Sequence, residues 1–207
     1  MEENNDIESR IIEAAKIVFV RKGYEATKMG DIATETGISR TSLHYYFRTK
    51  ELLFEAIFGQ LISMILPNVE IIMNEDSCIL EKLPLIIDEY LAAIRQNPLF
   101  PVFVVNEMNR DPEHLFHAIM IHSKRIVPIL RLREQIIVEM EKGLIRKRPL
   151  IDMASTLISL VVFPYLARHA LTTAFLEGNR EAFEIFLDQR VELIKEVMYN
   201  LLTPENK

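Results

Sequence analysis

The chain has 207 residues, 49% of them hydrophobic and only six of them glycine, which is enough to build one small domain and one of ordinary size. No stretch alternates apolar and polar residues between Asn-Gly or Asp-Gly turns, so the sequence argues against a strand-rich fold and predicts an all-α protein. The acidic N-terminal stretch lacks the basic leader and apolar core of a secretory signal, and a single cysteine, Cys78, leaves no internal disulfide, so we expect a cytoplasmic protein.

The first predicted helix ends near Gly23. Apolar residues recur at helical spacing before it, at Ile7, Ile11, Ala14, Val18 and Phe19. This apolar face would brace the two short helices that follow.

Two short helices joined by a tight turn are predicted next. Residues 29–36 form a helical segment with Met29, Ile32 and Ala33 on one side. Gly37 stands in the three-residue turn that follows, and Ser39 is a suitable N-cap for a second helix. This is the helix-turn-helix arrangement, in which the second helix lies in the major groove of DNA with its first residues against base edges.

The second helix offers side chains that suit DNA. Arg40 can form a bidentate contact with guanine, and the polar and aromatic residues after it can reach bases or phosphates, while Leu43 and Phe47 are expected to point inward. Thr27 can cap the first helix of the pair and Lys50 stands at the start of the next long helix, so both are expected to bind phosphate. The predicted DNA-binding residues are Thr27, Lys28, Ser39, Arg40, Thr41, Ser42, His44, Tyr45, Tyr46 and Lys50.

The alternative is a buried helical pair with solvated basic side chains and no DNA. The charge distribution favours DNA. The whole chain has a formal net charge of −6, yet residues 10–50 hold eight Lys or Arg against four Asp or Glu. An acidic protein with one basic patch can bind a polyanion through that patch.

Further helices are predicted along the rest of the chain. A long helix begins at Lys50, with a kink or break at Pro67, and others are expected at about 81–96, 99–109, 112–141 with a bend at Pro128, 150–167 and 180–202. The basic run at residues 146–148 is interpreted as a solvated loop.

Residues 150–167 are the most apolar stretch. A membrane span is the rival interpretation, but Asp152, three hydroxyl residues and Pro164 interrupt the stretch. A helix that is apolar all round is instead buried on two sides, and together with residues 180–202 it can form a four-helix bundle with a second copy of the chain. The predicted dimer interface comprises Leu157, Val161, Tyr165, Phe183, Leu187, Ile194 and Met198. The alternative, that both helices complete a monomeric core, stays open.

Residues 23–54 contain a pattern in fixed register, made by Gly23, Tyr24, Thr27, Ile32, Ala33, Gly37, Ile38, Ser39, Leu43, Tyr46, Phe47, Lys50 and Leu53. This pattern resembles the DNA-binding segment of the tetracycline-repressor (TetR) family of bacterial regulators. Two positions depart from the family pattern, since Thr41 stands where Gly is common and His44 where Tyr is common. The motif covers about a fifth of the chain, and total length and helical layout extend the resemblance.

The resemblance implies a homodimeric repressor that a small apolar or aromatic effector releases from a palindromic operator. It also implies a three-helix DNA-binding domain at residues 1–50 and a helical ligand-binding and dimerisation domain at residues 51–207. Ligand pockets are mostly apolar with a few polar groups. The candidate lining residues are Phe58, Ile62, Ile65, Tyr90, Phe103, Asn106, Phe116, His117, Met120, Tyr165 and His169, for each of which an ordinary place in the core is the alternative.

An alternative function is a helical metal-binding or catalytic protein that uses the region of Glu107, His114 and His117. Local structure explains most of this segment, because Asp111 is a suitable N-cap and Pro112 suits a first helical position. The two histidines lack the HExxH arrangement, and the chain has no nucleophile elbow, phosphate-binding loop or dinucleotide fingerprint. We therefore expect no enzymatic activity, no cofactor and no metal.

Overall fold

The computed structural model describes residues 2–121 and 126–204, apart from the side chains of residues 2–5 and 61. All the regular structure within these residues is α-helical, which confirms the predicted class. The helices are α1 (Glu2–Lys22), α2 (Met29–Thr36), α3 (Arg40–Tyr46), α4 (Lys50–Asn74), α5 (Ile79–Gln96), α6 (Phe100–Arg110), α7 (Pro112–Met120), α8 (Val127–Glu141), α9 (Leu150–Leu166), α10 (Arg168–Phe175) and α11 (Arg180–Leu202).

One prediction about these helices was wrong. The stretch 112–141 is not one bent helix, because α7 ends at Met120 and α8 begins at Val127. Pro128 lies in the first turn of α8, where the missing N–H of proline costs nothing. Pro67 lies within α4, which continues without a break to Asn74, so a kink at this proline stays a prediction. Helix α10 was not predicted.

The chain divides into two units by its internal contacts. The first comprises Met1–Met64 with Asn97–Arg125, and the second comprises Ile65–Gln96 with Ile126–Lys207. This is a division by packing. The functional division at residue 50, with DNA binding before it and ligand binding and dimerisation after it, stays a prediction.

The first unit has a core that joins α1, α2 and α3 to α4, α6 and α7. Its buried members are Ile11, Ile12, Ala15, Val18, Phe19, Ile32, Ala33, Leu43, Phe47, Leu53, Phe54, Ile57, Phe58, Phe100, Phe103, Leu115 and Ala118. Phe103 of α6 is fully buried, and its ring centroid lies 5.9 Å from that of Phe19 and 5.3 Å from that of Phe54. The predicted helix-turn-helix is therefore built on a core that α6 and α7 complete.

The second unit has its own core from α5, α8, α9 and α11. Fully buried side chains such as Ile87, Val161 and Ile194 pack together in it. The buried carboxylate of Glu139 on α8 accepts hydrogen bonds of 3.0 and 3.1 Å from the backbone N–H of Ile79. Glu139 thus satisfies the first backbone donor of α5 and joins two helices that are distant in sequence.

Among the residues that the structure describes, two segments meet the length and composition required of a membrane span. One is α4, and the other is α9 with α10, which qualifies only if the two are taken together across the 71° bend between them. Core helices of water-soluble proteins meet the same requirement, so this is weak support for a span.

Candidate DNA-binding site

The turn between α2 and α3 depends on a glycine. Gly37 has a φ of 76°, in the left-handed region that side chains disfavour. Its N–H and that of Ile38 donate to carbonyls in the last turn of α2, at 3.2 and 3.0 Å. The turn ends α2 and starts α3 within three residues, as the sequence predicts.

Helix α3 presents a polar, exposed first turn on a buried anchor. The hydroxyl of Ser39 accepts a hydrogen bond of 3.0 Å from the N–H of Ser42, so the predicted N-cap is confirmed. Leu43 and Phe47 are buried, as predicted. The exposed side chains on the other side of the helix are those of Arg40, Thr41, His44 and Tyr45.

The positive charge near α3 is smaller than the sequence count suggests. Lys16 is buried and donates a hydrogen bond of 2.8 Å to Asn97. Arg21 and Lys22 each form an ion pair of 2.9 Å with an acidic residue of α2. The exposed basic side chains at the starts of α2 and α3 and just after α3 are Lys28, Arg40 and Arg48.

Two predicted phosphate ligands have internal partners. Thr27 does not cap α2, because its buried hydroxyl donates to the carbonyl of Gly23 at 2.6 Å and the N-cap residue is Lys28. The ammonium of Lys50 donates to the carbonyl oxygens of Tyr24 and Glu25, at 2.7 and 3.3 Å. An ammonium has three protons, so Lys50 keeps one direction for a phosphate, whereas the Thr27 hydroxyl points inward.

A group of polar side chains beside this segment was not predicted. Glu51 at the start of α4 accepts hydrogen bonds from the hydroxyl of Tyr24 at 2.6 Å and from Nε2 of His114 on α7 at 2.9 Å. Burial and the hydrogen bond to Glu51 raise the pKa of Tyr24. Glu107 of α6 accepts a long hydrogen bond of 3.4 Å from the N–H of Tyr24, and burial raises the pKa of that carboxyl. These residues are far apart in sequence, so no local pattern joins them.

This geometry argues against the metal-binding alternative. Among the described side chains, those of residues 6–60, 62–121 and 126–204, no group of three His, Cys, Asp or Glu is arranged to hold a metal ion. His114 instead bonds to Glu51, while Glu107 faces the backbone of Tyr24. Asp111 caps α7 through a 3.0 Å hydrogen bond from the N–H of His114, as its sequence context predicts.

The candidate ligand residues are divided between the two units. Those in the first unit are Phe58, Ile62, Phe103, Asn106, Phe116, His117 and Met120, and those in the second are Ile65, Tyr90, Tyr165 and His169. Phe58 and Phe103 are buried core neighbours with ring centroids 5.4 Å apart, whereas Phe116 and Met120 are exposed. Tyr165 and His169 together line an open recess of about 560 Å³.

The candidate dimer residues lie inside the second unit. Val161, Phe183, Ile194 and Met198 are at most 2% exposed in the single chain. Leu157 and Leu187 are partly buried and pack against the same core, to which Tyr165 belongs. Val161, Phe183, Ile194 and Met198 are therefore enclosed within one chain, whereas a contact of Leu157, Leu187 or Tyr165 with a partner stays a prediction. The large apolar side chains exposed on α9 and α11 are Ile151, Ile158, Phe163, Leu166, Ile185, Leu193 and Tyr199.

Comparison with known proteins matches the same N-terminal segment. Residues 11–57 match the model of the family described as bacterial regulatory proteins, tetR family. The segment is 46% identical over 50 residues to the uncharacterized HTH-type transcriptional regulator YfiR of Bacillus subtilis, with 24% of each chain covered. It is 39% identical over 54 residues to the HTH-type transcriptional regulator QacR of Staphylococcus aureus, with 26% of this chain and 29% of QacR covered. The matched part thus spans only about a quarter of these relatives.

The fold extends the similarity over the rest of the chain. A TetR family transcription regulator from Marinobacter aquaeolei VT8 superposes with a TM-score of 0.65 at 18% identity, covering 99% of this chain and all of that one. At this identity the likeness concerns the fold alone. It includes an N-terminal helix-turn-helix followed by a helical C-terminal part, which confirms the predicted architecture.

Proposed function

We propose that the chain is a DNA-binding transcriptional regulator of the tetR family, because residues 11–57 match the model of that family. The observation that carries the proposal is α3, a short helix capped by Ser39 and anchored by Leu43, with Arg40 and Thr41 exposed in its first turn. A helix presented in this way suits the major groove, where side chains at the N-terminal end reach base edges.

We assign the side chains of α3 different tasks. Arg40, Thr41 and Ser42 read base edges, and His44, Tyr45 and Tyr46 contact the phosphate backbone. Lys28, the backbone at Ser39 and the third proton of the Lys50 ammonium add phosphate contacts. The inward hydroxyl of Thr27 supports the loop before α2 and takes no phosphate.

The regulator acts as a homodimer on a palindromic operator. Two copies of α3 can occupy successive major grooves only if a twofold interface sets their separation. We propose the exposed apolar face of α9 and α11 for that interface, with Ile158 and Phe163 on one helix and Ile185 and Leu193 on the other. Apolar side chains exposed together on long helices are typical of protein interfaces.

We also propose that the protein is a repressor and that an apolar or aromatic effector regulates it. In one state of the dimer the two α3 helices have the spacing of the operator, and in another state they do not. An effector that binds the second state more tightly lowers the affinity for the operator by at most the ratio of its two binding constants. About 1.4 kcal/mol of preference gives a tenfold loss, so an effective switch needs more. The recess lined by Tyr165 and His169 is one candidate place for a small molecule.

Selection of duplexes from a random library by the wild-type protein, followed by gel-shift titration, tests DNA binding. Arg40→Ala should cost roughly 1–3 kcal/mol per half-site and relax specificity, whereas Lys50→Ala should weaken binding to every sequence and reduce the salt slope by about one per site. Lys147→Ala, an exposed lysine outside the proposed interface, is the matched control. No enrichment of any duplex would contradict the proposed function.

A further inference from the structure

His114 of α7 is inserted between two rings that belong to the DNA-binding part of the chain. Its ring centroid lies 4.4 Å from that of Tyr24, in the loop before α2, and 4.3 Å from that of Phe54 on α4. Only 16% of the side chain is exposed. Packing against these two rings therefore positions the imidazole, in addition to its hydrogen bonds.

The carboxylate of Glu51 joins His114 to Tyr24. One oxygen lies 2.9 Å from Nε2 of His114, and the other accepts the hydroxyl proton of Tyr24 at 2.6 Å. Burial raises the pKa of Glu51, but the hydrogen bonds from Tyr24 and His114 outweigh it and leave that pKa below its usual value. An ionised carboxylate can only accept, so Nε2 carries the proton.

Tyr24 in turn holds the amine of Lys50. Its carbonyl oxygen accepts a 2.7 Å hydrogen bond from the ammonium, which also lies 4.1 Å from the centroid of the Tyr24 ring. The N–H of Tyr24 is bound by Glu107. Tyr24 is thus held at its hydroxyl, its N–H and its carbonyl, and Lys50 sits at the end of this chain of contacts.

We propose that His114 is a positioning residue for DNA binding: its protonation strengthens the hydrogen bond to Glu51 and so fixes Tyr24, Lys50 and the loop before α2 in the geometry that meets a phosphate. The proposal rests on the proposed function as a DNA-binding regulator. Histidines change charge between about pH 5 and pH 8, and a charge-assisted hydrogen bond is roughly twice as strong as a neutral one. Affinity for DNA should therefore rise as the pH falls from 8 to 6.

Charged and titratable groups of the neighbouring helices lie close to this histidine or to its partners. Glu51 of α4 and Tyr24 of the loop before α2 contact it, and Glu107 of α6 interacts with it electrostatically. Arg110 and Asp111 act on Glu107, and His117 acts on Glu51. A positive charge at position 114 is therefore close to the carboxyl groups of Glu51 and Glu107.

A second histidine requires a control. His44 is exposed on α3, among the proposed DNA contacts. The pH dependence of wild-type binding alone cannot separate the two. The informative quantity is the ratio of affinities at pH 6 and pH 8, compared between wild type and variants at position 114.

The experiment uses the full chain and a duplex that the wild type selects from a random library. His114→Gln keeps an N–H donor for Glu51 but cannot gain a charge, whereas His114→Leu removes the donor. We expect His114→Gln to bind DNA as tightly as the wild type at pH 8. At pH 6 the wild type should bind about fivefold more tightly than at pH 8, and His114→Gln should lack this gain. His114→Leu should bind more weakly at both values, and Lys147→Ala, the exposed control in the second unit, should retain the wild-type ratio.

Two further measurements separate the possible failures. Thermal melting establishes that each variant is folded, and hydrogen exchange of the amides of residues 23–28 reports whether the loop is held. Faster exchange in His114→Leu than in His114→Gln is expected. Equal affinity ratios for wild type and His114→Gln overturn the inference while leaving the proposed function intact. If the wild type selects no duplex, the proposed function fails, and the role of His114 in DNA binding fails with it.

Discussion

The buried carboxyl of Glu107 should make the stability of the protein depend on pH in a predictable direction. Glu107 is 1% exposed, and Oε2 has no hydrogen-bond partner within the described part of the chain. Oε1 accepts the 3.4 Å hydrogen bond from the N–H of Tyr24 and lies 3.5 Å from the half-exposed guanidinium of Arg110. Glu107→Gln keeps an acceptor for Tyr24 and removes the buried charge.

The expected size follows from these contacts. An unsatisfied buried polar group costs about 1–3 kcal/mol, and a buried charge costs more than an amide in the same place. The ion pair with Arg110, partly exposed to solvent, offsets only about 0–1 kcal/mol. We therefore expect Glu107→Gln to stabilise the protein at pH 8 by about 1 kcal/mol, which for a chain of this size raises Tm by about 2–4 °C.

The sign of the pH dependence distinguishes this cause from others. Burial raises the pKa of Glu107 in the folded protein above the ordinary value of 4.5. The stability associated with the neutral carboxyl is fully present below that ordinary value and is lost as the pH rises through the raised pKa. The difference in Tm between Glu107→Gln and wild type should thus be smallest near pH 4.5 and grow toward neutral pH.

Melting curves recorded by circular dichroism across this range test the reasoning. Glu8→Gln, an exposed glutamate on α1, is the control and should leave Tm almost unchanged. A difference that stays constant with pH, or that grows as the pH falls, would refute the claim that a buried charge at Glu107 is the cause.

The remaining predictions concern the turn, the cap and the interface. Gly37→Ala should destabilise the protein by roughly 1–2 kcal/mol, because Gly37 has a left-handed φ. Gly30→Ala should stabilise it by roughly 0.5–1 kcal/mol, because Gly30 lies in helix α2 with open space around it. Equal shifts of Tm in the two variants would contradict this reasoning. Ser39→Ala should cost about 1 kcal/mol and weaken binding to a selected duplex, and undiminished binding would argue against α3 as the reading helix. In sedimentation, Phe163→Glu should yield a folded monomer and Ile194→Glu an unfolded or aggregated chain, since Phe163 is exposed and Ile194 buried; a wild-type monomer would exclude the interface.

The sequence predicted the parts of the fold that depend on neighbours along the chain. Gly37, the Ser39 cap, the buried Leu43 and the Asp111 cap each depend on contacts within three or four residues. A motif of this kind carries its own geometry, so composition and spacing identify it. The helical class followed for the same reason.

The sequence did not show which face of a helix is buried within one chain and which face is exposed. Helix α11 carries both Ile194, which is buried in the chain, and Leu193, which is exposed. Hydrophobicity alone cannot tell a side chain that packs inside one chain from a side chain that awaits a partner. The contact between Glu51 and His114 was not predicted for a related reason. The two residues are 63 positions apart, and only the packing of α4 against α7 brings them together.

The packing of the first unit bears on how any signal would reach α3. The ring of Phe103 on α6 contacts those of Phe19, Phe54 and Phe58, which belong to α1 and α4. Protein interiors are packed as densely as crystals, so α6 cannot shift while these rings stay fixed. A displacement of α6 or α7 must then be accommodated by the helices that support α2 and α3. Glu107 lies on α6 and His114 lies on α7, so the polar contacts of these residues with Tyr24 and Glu51 would move with the two helices. Aromatic packing and polar contacts would therefore transmit the displacement together.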